Sequence, residues 1–133
     1  MTLLTREAIQ RKRNLEIAEV DVTELGEIIN YETGERERTT VFVREMTVSE
    51  KGKLEASLVD KKGKANMKVY RTNLVIATAC DADGNLIFTD DDAEYIGRQP
   101  LKAIERICDV ARRLNDMLLE REKDESEEET VKN

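Results

Sequence analysis

Histidine and tryptophan are absent from these 133 residues, and only two cysteines and one proline occur. Without histidine there is no Ser–His or Cys–His pair, and the commonest general base is missing. The same scarcity leaves little from which to build the Cys/His ligand set of a structural zinc site. Cys80 and Cys108 stand inside apolar helical patterns, not in a C-x-x-C motif, and read as buried reduced thiols acting as small hydrophobes. Aromatic residues make up 4%, so the core must be largely aliphatic. No apolar run approaches the roughly 20 residues that span a bilayer. The opening Met1-Thr-Leu-Leu-Thr-Arg has neither the long apolar region nor the cleavage site of a signal peptide, so a cytoplasmic location is expected.

What is present is charge. Charged residues account for 38% and apolar residues for 39%, with a formal net charge of −7. That balance argues against a general nucleic-acid binder, which needs a basic face to displace counterions. The length fits one domain with one core, burying roughly two thirds of the unfolded surface.

Local patterns divide the chain. Thr5 is placed to cap a short helix over residues 3–13, made basic by Arg6, Arg11, Lys12 and Arg13. So short a helix is marginal unless it docks on something. Residues 16–24 alternate, with Ala18, Val20 and Val22 on one face, and residues 38–45 alternate with Thr39, Val41 and Val43. Ile28 to Tyr31 can prolong the first strand, and Glu32-Thr-Gly34-Glu35 supplies a turn, giving a long antiparallel hairpin. Thr47-Val-Ser-Glu50 is a capping-box pattern for a helix across Lys51 to Val59, in which Gly52 costs about 1 kcal/mol against alanine. A lysine-rich loop (Lys61, Lys62, Lys64) follows, and Asn66 caps a helix carrying Met67, Tyr70, Leu74 and Ala77, widened by Val69, Val75, Ile76 and Ala79. Asp81-Ala-Asp-Gly84-Asn85 reads as a turn. Leu86 to Phe88 reads as a short extended piece, and Thr89 as the cap of a helix opening with Asp90, Asp91 and Asp92 and ending near Gly97. Pro100 fits the first position of a last helix, whose face runs through Leu101, Ile104, Ile107, Cys108, Ala111, Leu114 and Leu118. From Glu120 the periodicity stops. Residues 120–133 hold seven acids and three bases, the composition of a disordered acidic tail after a folded 1–119.

The acidic segment 81–92 invites a calcium- or ligand-binding reading. An EF-hand loop needs glycine at its sixth position and a bidentate glutamate at its twelfth. Counting from Asp81, Gly84 is fourth and Asp92 is twelfth, so the spacing fails. Paired catalytic carboxylates need one acid raised in pKa by burial, whereas these sit in turns and caps. Lys61-Lys-Gly-Lys64 lacks the spacing of a phosphate loop. No residue set supplies a nucleophile with a base, and no cofactor or metal is implied. The basic N-terminal helix leaves open a small regulatory or nucleic-acid-associated protein. Surplus apolar positions are the other candidates: Met67, Val69, Ile76, Met117 and Leu119 are expected to bind a partner.

The order of several fragments resembles the tail assembly chaperones of long-tailed bacteriophages and prophages. They are Leu3-Leu-Thr-Arg-Glu-Ala-Ile9, Val20-Asp-Val22 leading to Gly26, Val41-Phe-Val-Arg-Glu-Met-Thr47, Glu55-Ala-Ser-Leu58, Cys80-Asp-Ala-Asp-Gly84, Phe88-Thr89 and Leu114-Asn115. The likeness spans most of residues 2–118, while the segment Glu27–Thr40 is longer than the family's turn. The resemblance implies a non-enzymatic assembly factor in the host cytoplasm, absent from the mature virion. Its partners would be the tape measure protein, which it keeps soluble, the major tail protein that polymerises around that client, and further copies of itself. It also implies a longer product made by ribosomal frameshifting near the C-terminus. Together these readings give an expected α+β fold: a long antiparallel β-hairpin packed against four or five α-helices, with the acidic tail beyond.

Overall fold

The alternation of apolar residues is realised as an antiparallel ladder between β1 (Ile17–Asp21) and β4 (Thr40–Arg44). Ala18 lies opposite Val43 and Val20 opposite Val41, so the apolar positions of both strands share the face turned to the core. The computed structural model describes residues 1–11, 14–25, 28–29, 32–34 and 36–117, with 28, 29, 36 and 37 described through their backbone alone. Leu118, Leu119 and residues 120–133, with the tail expected there, lie outside the described residues, as do Lys12, Arg13 and Tyr31.

The hairpin is not one continuous ladder. A separate two-residue pairing joins β2 (Ile28–Ile29) to β3 (Arg36–Glu37), with Ile28 opposite Glu37. Six residues separate Asp21 from Ile28, but two separate Glu37 from Thr40. The first strand thus carries the excess, and part of it is wound into a 3-10 turn at Thr23–Leu25. The Asp21 carboxylate starts that turn by accepting from the amide (2.9 Å) and the hydroxyl (2.5 Å) of Thr23. Gly34, at φ 71°, closes the tip in the left-handed region.

A third strand, β5 (Ala79–Cys80), pairs with the other side of β4, giving the order β1-β4-β5 with β4 central. This corrects the expected helical placement of Ala79 and Cys80. The helix α3 (Tyr70–Thr78) stops because Ala79 turns extended (φ −67°, ψ 127°) and pairs with Val43. Short apolar runs suit helix and strand alike, and here the open edge of β4 decides. β1 remains the other edge. The chain then passes Asp81–Asn85, where Gly84 has φ 85°, and Leu86 forms an isolated bridge back to Cys80.

Among the described residues five α-helices accompany the sheet, and the fold is α+β. The capping box is formed: the Thr47 hydroxyl accepts from the Glu50 amide (3.2 Å) and Glu50 Oε1 from the Thr47 amide (2.9 Å), opening α2 (Val48–Ser57). Helix α1 (Arg6–Ile9) is capped by Thr5 but is far shorter than the expected 3–13, and none of its residues is buried. Met67–Val69 form a 3-10 turn ahead of α3, and Asp90–Asp92 another ahead of α4 (Ala93–Gly97). There Asp92 accepts from the Thr89 amide (2.8 Å). Pro100 stands at the cap position, one residue before α5 (Leu101–Leu114).

Helix α5 packs on α3 and across β1 and β4. Ala103, Ile104, Ile107, Cys108 and Ala111 are buried, meeting Leu74, Val75 and Val43 in the core. Leu101 departs from its expected place in this face. It is 62% exposed beside exposed Pro100 and Lys102, because the first turn of α5 stands clear of the packed layers. Leu74→Ala is therefore expected to destabilise the fold by about 2–5 kcal/mol, whereas Leu101→Ala should stay within about 0.5 kcal/mol. Urea unfolding of the two variants checks the contrast.

Candidate binding surface

Three features outside the core carry chemistry: a polar junction between β4 and α5, the acidic turn, and a groove beside α3. The junction is made by Asn115, the residue after α5. Its Oδ1 accepts from the Met46 amide (2.7 Å), and its Nδ2 donates to the carbonyls of Ala111 (2.8 Å) and Arg44 (3.5 Å). Asp116 follows at φ 53°, and the Met117 amide donates back to the Arg112 carbonyl (2.7 Å), a Schellman-type ending. Arg44, 8% exposed, pairs with Glu50 Oε2 at 2.6 Å. Burial alone would push the Glu50 carboxyl up, but the Thr47 amide and the Arg44 guanidinium hold it below the usual range. Further along α5, Arg106 donates to the Asp21 carbonyl (2.6 Å) and pairs with Glu24, while Arg71 of α3 pairs with Glu105 and holds its carboxyl down.

The acidic turn is occupied by its own backbone. Asp81 Oδ1 accepts from the amides of Asn85 (3.0 Å) and Asp83 (2.9 Å). Those backbone donors, Asn85 first, hold its carboxyl below the ordinary range. Asp83, Asp90 and Asp91 are exposed. Among the described residues no three His, Cys, Asp or Glu side chains are grouped to hold a metal ion. The thiols are equally quiet: burial pushes Cys108 up to about 12, and burial also raises Cys80. Neither is a thiolate nucleophile at neutral pH.

The groove, about 400 Å³, lies between α2, α3 and the 86–90 segment. Its apolar lining includes Leu54, Ile76, Leu86 and Phe88, and Glu50, Lys53 and Asp90 stand at it. Ser57 and Asn73 tie its two helices together, Asn73 Nδ2 donating to Ser57 Oγ (3.0 Å) and Ser57 donating to the Leu54 carbonyl (2.6 Å). Phe88 also lines a second hollow of about 300 Å³, formed with Leu25, Val75, Tyr95, Ile96 and Ile107. Phe88 is thus a wall common to both hollows.

Of the five residues expected to bind a partner, Ile76 lines this groove. Met67 is exposed on the 3-10 turn, Val69 is half-buried, and Met117 is half-buried against the core. Leu119 lies outside the described residues. Of the four that are described, Ile76 is the one on the groove. Sequence reasoning overlooked Leu86 and Phe88 as a surface, although an apolar triplet between a turn and an acidic run was its available signal. It also underrated Leu3, Leu4 and Ile9, which stand exposed on the N-terminal segment.

No family model and no curated protein matches the chain. Among solved structures, the tail assembly chaperone of bacteriophage HK97 overlaps with a TM-score of 0.40 and 19% identity, covering 71% of this chain and 84% of that one. An overlap that loose does not establish a shared fold.

Removing the Asn115 side chain strands the Met46 amide, so Asn115→Ala is expected to cost about 1–3 kcal/mol in denaturant unfolding. The lowered carboxyls of Glu50, Glu105 and Asp81 contribute stability above their unfolded pKa values and lose it as pH falls through the folded ones. Stability should therefore decline below about pH 4.3. In Glu50→Gln that acid slope should be shallower, as measured by urea midpoints across the acid range.

Proposed function

We propose that this protein is a non-enzymatic tail assembly chaperone of a long-tailed phage or prophage. On this reading it binds the tape measure protein, keeps it soluble in the host cytoplasm, and yields it to the polymerising major tail protein. The observation that carries the reading is where the family-like fragments fall. Thr5 of the Leu3–Ile9 fragment caps α1, Thr47 of the Val41–Thr47 fragment opens α2, Asp81 folds the Cys80–Gly84 turn, and Asn115 joins α5 to β4. These residues stand at joints of the fold, so the fragments that carry the resemblance are also ones that shape it.

The exposed surface supports the same reading. Leu3, Leu4, Ile9, Val48, Met67 and Tyr95 are each more than half exposed, and the groove beside α3 adds a partly covered apolar lining. Scattered apolar residues are ordinary on any protein, but a groove with an apolar floor is a place for a helical client to lay its own apolar face. Many weak contacts along one long client give retention by avidity, and each copy can still be displaced by tube subunits. Copies assembled along the client would contact one another. No helix among the described residues is long and apolar enough to cross a membrane.

Co-expression with the tape measure protein of the same phage or prophage tests the proposal. The expected result is a soluble client that co-elutes with several copies of this chain, and Ile76→Asp or Leu86→Asp should reduce the recovered client severalfold. A client that stays insoluble with no complex overturns it.

A further inference from the structure

Arg44, Arg71, Arg106 and Arg112 each hold a carboxylate of the fold. The loop between α2 and α3 presents its cations differently. Lys61, Lys62, Lys64 and Lys68 are all exposed, and among the described residues none of them forms an ion pair. The one acid of the loop, Asp60, is engaged by its own backbone: Oδ1 accepts from the amides of Lys62 and Lys64 (both 2.9 Å). The turn is fixed. Val59 and Ala65 form an antiparallel bridge, the Asp60 amide donates to the Lys64 carbonyl (2.8 Å), and Gly63 takes φ 77°. Three of the four amines therefore project from one tight turn.

This loop stands at the end of the molecule where the described chain stops. Helices α3 and α5 run antiparallel. Val75 meets Ile104 and Ile107 around one hollow, the Arg71 carbonyl accepts from the Cys108 thiol (3.7 Å), and Tyr70 lies against Arg112. Lys68, two residues before Tyr70, is thus near the last turn of α5, and the Met117 amide folds back on the Arg112 carbonyl. The sequence that follows has the opposite charge. Asp124-Glu-Ser-Glu-Glu-Glu129 holds five acids in six residues. The residues from Leu118 to Asp124 can span roughly 23 Å, about two helix diameters, which suffices to bring those acids to the loop.

We propose that Asp124–Glu129 lie on the Lys61–Lys68 loop of their own chain and shield it from other polyanions. The inference is independent of the functional reading above. Each exposed pair contributes less than about 1 kcal/mol. Several pairs act together, and a tether of this length supplies a local concentration in the millimolar range. The other basic stretch, Arg6 to Arg13, includes Glu7 and follows a segment that buries none of α1, so it offers no fixed array.

The test uses the full chain and a variant neutralised at Asp124→Asn, Glu125→Gln, Glu127→Gln, Glu128→Gln and Glu129→Gln. None of these positions belongs to the described fold, and circular dichroism would verify that it is kept. Acetylation of Lys61, Lys62, Lys64 and Lys68, read by mass spectrometry, should be severalfold faster in the variant, with Lys51 unchanged. In roughly 1 M salt, where the screening length falls to about 3 Å, the difference should vanish. A carbodiimide, which joins carboxylates to amines without a spacer, should link 124–129 to the loop lysines. In a mixture of ¹⁵N-labelled and unlabelled chains those links should stay within one isotope. Immobilised heparin should retain the variant and let wild type pass, and adding Lys61→Gln, Lys62→Gln and Lys64→Gln should abolish the retention.

Equal acetylation in wild type and variant overturns the proposal. So do links that run to Lys12 instead, or between chains of different isotope. Heparin retention that survives loss of the loop lysines overturns the shielding. Client binding is read separately, since neither Ile76 nor Leu86 is altered in these variants.

Discussion

Four consecutive residues, Arg44 to Thr47, take the chain from the central strand into a helix, and one side chain from far along the sequence makes that passage possible. The Glu45 amide still bonds to the carbonyl of Glu16, just before β1 (2.8 Å), and the Thr47 amide already belongs to the capping box. Between them the Met46 amide has left the sheet and not reached the helix. Asn115 accepts from it and turns its amide nitrogen to the Ala111 and Arg44 carbonyls. A half-buried backbone donor left unpaired there would cost about as much as a lost core methylene or two. Asn115 thereby ties the end of α5 to the exit of β4, just before the capping box that opens α2.

The remaining polar contacts of α5 extend the same logic. Arg106 fastens its outer side to the end of β1, and Glu105 receives Arg71 from α3. Arg112, 5% exposed, pairs with Asp109 and, at 3.6 Å, with Glu105. Apolar packing alone would let a helix rotate or slide by a fraction of a turn. Arg106 and Glu105, which reach specific partners on β1 and α3, remove that freedom, even where each pair adds little stability.

Local chemistry was legible in the sequence, and long-range geometry was not. The capping box at Thr47, the Asx turn at Asp81, the faces of β1 and β4 and the buried face of α5 each follow from residues a few positions apart. β5 was missed because two residues carry no periodicity and only the open side of β4 makes them a strand. Leu101 fits the apolar period of α5 perfectly, and its exposure depends on where the layers end. The expected 3–13 helix is one turn at Arg6–Ile9, with no buried residue to stabilise a longer one. The groove combines α2, α3 and the 86–90 segment, so no window of sequence contains it. Guesses from surplus hydrophobicity therefore found Ile76 and passed over Leu86 and Phe88.

The break between the two ladders of the hairpin has a consequence for how such a chain can change. The register of β1 against β4 is settled by Ala18, Val20, Val41 and Val43, and the far end of β1 is pinned where Arg106 meets the Asp21 carbonyl. Past that point the 3-10 turn absorbs the excess of one arm over the other. Residues can be gained or lost between Leu25, which packs against the core, and Arg38 without shifting that register. The protein thus carries an appendage whose length is mechanically insulated from its core, a place where new contacts can be tried while the body stays the same.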